Sequence, residues 1–130
     1  MICIDSDCII DFLKGKPGAI NAINDNKERI ITTEINKFEV LFGVYKRREM
    51  NEQEIESAND FFDNIISLPF GEGCAEIAAQ QLGALSKDGN IIDSHDALVG
   101  AILTKNECSE IITKNAKDYL RIEGIKVISY

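Results

Sequence analysis

The sequence predicts an α/β domain with a mostly parallel central sheet of about four to five strands and helices on both faces. The order of the predicted elements indicates this class. Short β-branched apolar runs alternate along the whole chain with longer segments of helical periodicity. Strands that are separated by helices are typical of a parallel sheet. The length of 130 residues suits one hydrophobic core, so we assign residues 1–130 to a single domain.

The first quarter of the chain predicts two strands and two short helices. Ile2–Ile4 is a short apolar run and predicts a buried strand that begins almost at the first residue. Ser6–Lys14 predicts a helix that stops at a glycine, and Ala19–Asn26 predicts a second helix after a Pro-Gly turn. Arg29–Thr32 is β-branched and predicts the second strand.

The next segment predicts a pair of antiparallel helices. Thr33 is a candidate N-cap for a helix over Glu34–Arg48, and Asn51 with Glu54 resembles a capping box that opens the second helix. A hairpin of this kind exposes faces for a partner or a second subunit. The apolar face expected for the first helix consists of Ile35, Phe38, Leu41, Phe42 and Tyr45.

The second half alternates strands and helices again. Ile66–Phe70 predicts a short strand, and Gly71–Lys87 predicts a helix whose apolar stripe includes Ala75, Ala78, Ala79, Leu82 and Leu85. Ile91–Lys105 is apolar almost throughout, which predicts a buried helix, and its Gly100 indicates close packing. The remaining elements are a strand at Glu110–Thr113, a short helix or turn at Ala116–Leu120 and a last strand at Ile125–Ser129.

Composition and charge limit the function classes. The net charge is −8, from 22 acidic and 14 basic residues, which argues against a general nucleic-acid coat or an anionic-membrane binder but not against a nuclease with a local basic patch. No apolar run approaches the ~20 residues that span a bilayer. The four cysteines lack metal-ligand spacing, which argues against zinc. Without a signal peptide, we expect reduced thiols and a cytoplasmic protein.

Carboxylates stand where strands end and helices begin. Asp5 directly follows the first strand, and sites in open α/β sheets lie beyond the carboxyl ends of the strands. A helix cap is the competing interpretation for Asp5 and for Asp7. Asp93 and Asp96 share one face at the start of the buried helix, where Asp93 is a candidate cap. Glu39 lies at the margin of an apolar helix face.

The polar residues at these places predict a metal-dependent hydrolase. Clustered carboxylates repel one another unless a cation lies between them, and hard oxygen ligands select Mg²⁺ or Mn²⁺. Such a metal lowers the pKa of water and neutralises a phosphate, as phosphodiester hydrolysis requires. His95 is the only histidine, and we expect it to be structural or solvated rather than a general base. The converging positions are Asp5, Asp7, Glu39, Asp93, Asp96, Thr113, Asn115 and Asp118.

Four short segments of the chain match the motifs of one protein family. Ile4-Asp5-Ser6-Asp7 matches the opening Asp-Thr/Ser-Asn/Asp signature of that family, and Phe38-Glu39-Val40-Leu41-Phe42-Gly43-Val44 resembles its Glu-Leu-x-x-Gly helix. Asp96-Ala97-Leu98-Val99-Gly100-Ala101 resembles the Asp-x-x-Ile-Ala-Ala segment. Thr113-Lys114-Asn115-Ala116-Lys117-Asp118-Tyr119 resembles the Thr-x-Asn/Asp-x-x-Asp-Phe segment. Their order and spacing cover essentially the whole chain. On these motifs the sequence resembles the PIN-domain family, and specifically its VapC-type toxins of toxin–antitoxin pairs.

The resemblance implies a three-layer PIN-like fold and a metal-dependent endoribonuclease that is inhibited by a cognate antitoxin and is usually a homodimer. By motif match, Asp5, Glu39 and Asp96 form the acidic triad, and Asp5 and Asp96 would bind Mg²⁺ or Mn²⁺. The fourth acidic position falls on Asn115, where many relatives have Asp, so either Asp118 compensates or the site holds one metal. Thr113, Lys114 and Asp118 are the candidate residues that position the RNA substrate or its attacking water.

Two alternatives stay open at the level of sequence. One is a haloacid-dehalogenase-like phosphatase that uses Asp5 as nucleophile and Asp7 as acid, although Ile9 matches that motif only in part. The other is a non-catalytic receiver or binding module, for which the phosphoacceptor aspartate and the later lysine have no convincing counterpart.

Overall fold

The computed structural model describes residues 1–130 and has a five-stranded, fully parallel sheet at its centre. The strands are β1 (Ile2–Ile4), β2 (Ile30–Thr33), β3 (Ile66–Leu68), β4 (Glu110–Ile112) and β5 (Lys126–Ile128). Their order in the sheet is β3-β2-β1-β4-β5, so the first strand is the central one. Every prediction of a strand is confirmed, and the ends lie within two residues of the predicted ones.

Seven helices connect the strands. They are α1 (Ser6–Leu13), α2 (Pro17–Asp25), α3 (Glu34–Tyr45), α4 (Glu52–Asp63), α5 (Cys74–Lys87), α6 (Ser94–Lys105) and α7 (Ala116–Tyr119). Most bounds lie close to the predicted ones. The helix predicted over Glu34–Arg48 ends three residues earlier, and the helix predicted from Ile91 begins at Ser94, because Asp93 caps it.

The sheet separates two hydrophobic cores, as the α/β prediction requires. Cys3 pairs in register with Ile31 and Ile111, and these three side chains contribute to one core together with α6. Because successive strand residues face opposite sides, Ile2 and Ile4 contribute to the other core, which α1, α2 and α3 also line. Helices therefore cover both faces of the sheet, and the predicted fold class is confirmed.

Two predicted caps are confirmed. The Thr33 hydroxyl accepts a hydrogen bond from the Asn36 N–H at 3.1 Å and donates to the Asn36 side-chain oxygen at 2.8 Å. The Asn51 side chain accepts from the N–H groups of Gln53 and Glu54. The Glu54 carboxylate does not complete the capping box, because it forms an ion pair with the Arg47 guanidinium at 2.7 Å.

The apolar face predicted for α3 is wrong in part, because Ile35 and Leu41 pack against the cores while its three aromatic residues do not. Phe38 and Phe42 are each 54% exposed and Tyr45 is 47% exposed, whereas the buried residues of this helix are Asn36 and Val40. Apolar residues occur on more than one side of α3, so periodicity does not identify the side that faces the core. The predicted stripe of α5 is wrong in part for the same reason, because Ala78 is buried while Ala75 and Ala79 are exposed.

The prediction for α6 is confirmed. Ala97 and residues 99–103 are buried, so the helix packs on most of its circumference. Gly100 lies against Ile122, and a Cβ at this position would approach the Ile122 Cδ1 to 2.5 Å. Close packing therefore explains the glycine in the middle of this helix.

Candidate functional site

The polar site begins at the carboxyl end of the central strand. Asp5 follows β1 and is only 4% exposed, and its Oδ1 accepts a hydrogen bond from the Cys8 N–H at 2.9 Å. Its Oδ2 accepts from the hydroxyl of Thr113, which lies at the end of neighbouring β4 and is fully buried. Asp5 is thus both the cap of α1 and a buried carboxylate at the sheet edge, so the two interpretations offered by the sequence hold together.

The surroundings of Asp5 work against its ionisation. Burial raises the pKa of this carboxyl, and the hydrogen bonds from Thr113 and from the Cys8 N–H lower it. The nearby charges of Asp7 and Glu39 raise it again, and the result is a pKa of about 6. The carboxylate therefore lacks a compensating positive charge.

Asp96 supplies the second carboxylate of the site from the first turn of α6. Its Oδ1 accepts from the Tyr119 hydroxyl at 3.0 Å, and its Oδ2 accepts from the Asn115 side-chain amide at 3.2 Å. Asp93 is the cap of the helix, as predicted, and accepts from the His95 N–H at 2.9 Å. Asp96 is therefore free of a capping role.

Like charges surround Asp96 as well. Burial raises the pKa of its carboxyl, and the side chain of Asp118 raises it further by sharing a hydrogen bond and by its charge. The hydrogen bond from Tyr119 acts in the opposite direction. Asp118 also accepts from the Asp93 N–H at 3.1 Å, which fixes it at the start of α6.

One chain of hydrogen bonds connects the two carboxylates. The Asn115 N–H donates to the Thr113 hydroxyl oxygen at 2.9 Å, while Thr113 donates to Asp5 and the Asn115 side chain donates to Asp96. The loop between β4 and α7 therefore orients both acids at once. The structure brings together four predicted site residues in this way, namely Asp5, Asp96, Thr113 and Asn115.

Glu39 lies beside this chain, on α3. Its Oε1 accepts from the Ser6 hydroxyl at 3.4 Å, and its Oε2 lies 3.5 Å from the His95 Nδ1. The Glu39 side chain is 31% exposed, and the His95 and Phe38 rings lie nearly perpendicular with centroids 6.4 Å apart. His95 thus contacts a predicted site carboxylate, a contact that the sequence did not indicate.

Lys114 is directed away from the two carboxylates. Its Nζ donates to Asp11 at 2.8 Å, and the almost fully buried Asp11 also binds the Tyr130 hydroxyl at 2.7 Å and Lys16 at 3.1 Å. Burial alone would raise the pKa of Asp11, but hydrogen bonds from Lys114, Tyr130 and Lys16 lower it to about 2. The assignment of Lys114 to substrate positioning stays a prediction, and the Asp11 cluster was not predicted at all.

The donors at the site have the chemistry of a hard-cation site. No three His, Cys, Asp or Glu side chains are arranged so that together they could hold a metal ion. Mg²⁺ usually keeps several waters and needs only one or two carboxylates from the protein. Asp5 and Asp96 are two such carboxylates, and burial together with nearby negative charges raises their pKa values, an effect that a bound cation would oppose. The residues present fit Mg²⁺ or Mn²⁺ on this donor chemistry.

A family model described as the PIN domain matches residues 2–124. The chain belongs to the PIN domain family. This result agrees with the resemblance seen in the four sequence segments, and it leaves the phosphatase and receiver alternatives without support. No curated protein matches the chain significantly.

Solved structures share the fold of this PIN domain over its whole length. A chain of the VapBC2 complex from Rickettsia felis bound to a promoter DNA fragment has a TM-score of 0.87 at 19% identity and covers 100% of this chain and 99% of its own. A chain of DNA-bound VapBC from Salmonella typhimurium has a TM-score of 0.86 at 20% identity, with coverages of 98% and 96%. VapBC-1 from nontypeable Haemophilus influenzae gives 0.82 at 20% identity, with coverages of 99% and 98%.

Proposed function

We propose that this PIN domain is a metal-dependent endoribonuclease and the toxin of a toxin–antitoxin pair. The observation that carries the proposal is the hydrogen-bonded chain from Asp5 through Thr113 and Asn115 to Asp96. It presents two carboxylates of raised pKa at the carboxyl edge of a parallel sheet, where α/β proteins place their sites. The structural neighbours, which are chains of VapBC complexes, support the assignment to toxins.

Each residue at the site has a separate role in the proposed hydrolysis. Asp5 and Asp96 would hold Mg²⁺ or Mn²⁺, which would neutralise the charge of an RNA phosphate and lower the pKa of a water. Thr113 and Asn115 keep the two carboxylates in orientation through their hydrogen bonds. Glu39 is partly exposed and held by Ser6, so it can accept a proton from the attacking water.

Substitution of the two carboxylates tests the proposal. We expect Asp5→Asn and Asp96→Asn each to slow the cleavage of total RNA by at least about 100-fold, because a neutral amide is a poor ligand for a hard cation. Circular dichroism should show the fold intact in both variants. Asp63→Asn is the matched control, since Asp63 is exposed on α4 and makes no side-chain contact with the site. Cleavage at the wild-type rate by both site variants would refute the assignment.

We also propose that an antitoxin binds the groove between α1, α3 and α4. The groove has a volume of about 410 Å³, its apolar lining is Ile10, Leu13, Val40 and Val44, and its charged residues are Lys14 and the ion pair of Arg47 with Glu54. The apolar lining suits an amphipathic segment, and Lys14 suits an acidic side chain on that segment. Co-purification with the product of a short adjacent reading frame, lost in Val44→Glu and retained in Ala75→Glu, would support this partner. Equal capture by both variants would contradict it.

A homodimer is the third part of the proposal. Phe38 and Phe42 stack on the exposed side of α3 with ring centroids 5.8 Å apart, and Tyr45 is exposed one turn further along the same helix. Exposed aromatic side chains of this kind are typical of protein–protein contacts. We expect light scattering to show a dimer that Phe42→Lys dissociates, while Phe70→Lys on the loop after β3 does not. A wild-type monomer at high concentration would contradict this part alone.

The last part of the proposal concerns the compartment in which the protein acts. No helix is both long and apolar enough to cross a membrane. An RNA substrate and four free cysteines suit the cytoplasm, which we propose as the compartment. Fractionation of expressing cells tests this, and recovery of the protein outside the cytoplasmic fraction would contradict it.

A further inference from the structure

Tyr119 is a buried residue that the sequence analysis did not assign to the site. It is 1% exposed, and its ring belongs to the core between the sheet and α6, where Cys3, Val99 and Ile122 are members of the same cluster. A phenylalanine ring would serve that core equally well. The hydroxyl is the part that the core does not require, and its one hydrogen bond is the one to Asp96 Oδ1 at 3.0 Å.

The two oxygens of Asp96 have one neutral donor each. Tyr119 donates to Oδ1, and Asn115 donates to Oδ2 at 3.2 Å. A rotation of the carboxylate about its bond to Cβ would lengthen both hydrogen bonds at once, so together they fix its plane. Each carboxylate oxygen has about two lone-pair positions, and these two donors together with the hydrogen bond shared with Asp118 occupy three of the four, which leaves one for a cation or a water. Neither donor carries a charge that would compete with a cation.

We propose that Tyr119 is a positioning residue that, together with Asn115, holds the Asp96 carboxylate in the orientation in which it binds the metal. The inference rests on the proposed metal-dependent activity and deepens it, because it assigns a role to a core side chain. Tyr119 itself touches neither substrate nor metal in this account. Groups that orient a ligand in this way typically change metal affinity or activity by about 10–100-fold.

The test is the Tyr119→Phe variant, which keeps the ring and removes only the hydroxyl. Tyr130→Phe is the matched control, because the Tyr130 hydroxyl also donates to a carboxylate, that of Asp11, at 2.7 Å. Binding of Mn²⁺ without RNA is followed by electron paramagnetic resonance of the free ion, alongside urea unfolding and RNA cleavage kinetics. We expect Tyr119→Phe to weaken Mn²⁺ binding by about tenfold and to lower kcat, with KM for RNA unchanged. Tyr130→Phe should leave Mn²⁺ binding within about twofold of wild type.

The outcomes separate this inference from the proposed function. Wild-type binding of Mn²⁺ by Tyr119→Phe, with a loss of stability only, would make the hydroxyl merely structural and would overturn the inference alone. Asn115→Ser removes the other donor and should weaken Mn²⁺ binding in the same direction. If Tyr119→Phe does not fold, an unchanged affinity in Asn115→Ser overturns the inference. A wild-type protein that neither binds Mn²⁺ nor cleaves RNA would overturn the proposed function and this inference together.

Discussion

Replacement of Asp5 by asparagine should stabilise the metal-free protein while it removes activity. Asp5 is 4% exposed and lies near the charges of Asp7 and Glu39, so its ionised form is costly in the folded state. Asparagine has the same shape and can still accept the hydrogen bond from the Cys8 N–H. The Thr113 hydroxyl can rotate to accept from the new amide.

The magnitude follows from the pKa of Asp5. A rise from 3.8 to about 6 in the folded state corresponds to about 3 kcal/mol, at about 1.4 kcal/mol for each pH unit. Because the folded pKa is raised, this stability is present below the unfolded pKa and is lost as the pH rises through the folded pKa. Most of the loss, about 2 kcal/mol, falls between about pH 4.5 and pH 7.5. Asparagine does not titrate, so the variant does not lose this stability as the pH rises.

Urea unfolding in EDTA at these two pH values measures the effect. The difference in the free energy of unfolding between Asp5→Asn and wild type should grow in favour of the variant by about 2 kcal/mol as the pH rises. The titration of Asp96 is common to both proteins and cancels. Asp63→Asn, whose side chain is exposed, should show no such growth. A difference that stays constant, or that grows in favour of wild type, would refute the reasoning about Asp5.

Three further predictions concern the scaffold and the metal. Asp11→Asn should lower the free energy of unfolding by about 2 kcal/mol, because the folded state holds the pKa of Asp11 low, and urea unfolding measures this loss. Wild type should lose that stability between about pH 4 and pH 2, whereas the variant should not, and an equal loss in both proteins over this range would contradict the prediction. Gly83→Ala, in open space on α5, should raise the free energy of unfolding by up to about 1 kcal/mol, whereas Gly100→Ala should not raise it, because the new methyl group meets Ile122. Equal gains in Tm for the two variants would contradict the close packing of α6 at Gly100. Mn²⁺ should raise Tm more at about pH 7.5 than at about pH 5, because Asp5 must be deprotonated to bind it. Calorimetry that shows a larger rise of Tm at about pH 5 would contradict a carboxylate site.

The sequence was sufficient for the architecture because the local signals agree with the fold. The β-branched runs, the caps at Thr33 and Asn51 and the nearly apolar helix before β4 each predict the element that forms. The exposed aromatic residues of α3 show where this reasoning fails. Periodicity detects an apolar stripe, but the same stripe suits a core or a partner, and only the packing of the helix decides between them.

At the candidate site, too, the sequence predicted the positions of residues but not the contacts of their side chains. The positions of Asp5, Asp96, Thr113 and Asn115 could be predicted because strand ends and helix starts meet at one edge of a parallel sheet. The contacts of individual side chains could not. That Lys114 is bound to Asp11, and that the Tyr119 hydroxyl reaches Asp96, depend on side-chain directions across elements that are far apart in sequence.

Removal and return of the metal is the most direct test of the proposed activity. Wild-type protein is treated with EDTA, exchanged into metal-free buffer and given total RNA with and without Mn²⁺ or Mg²⁺. We predict no cleavage without the metal and restored cleavage when it is returned. Cleavage at the full rate in EDTA would contradict a mechanism in which Asp5 and Asp96 hold a metal ion.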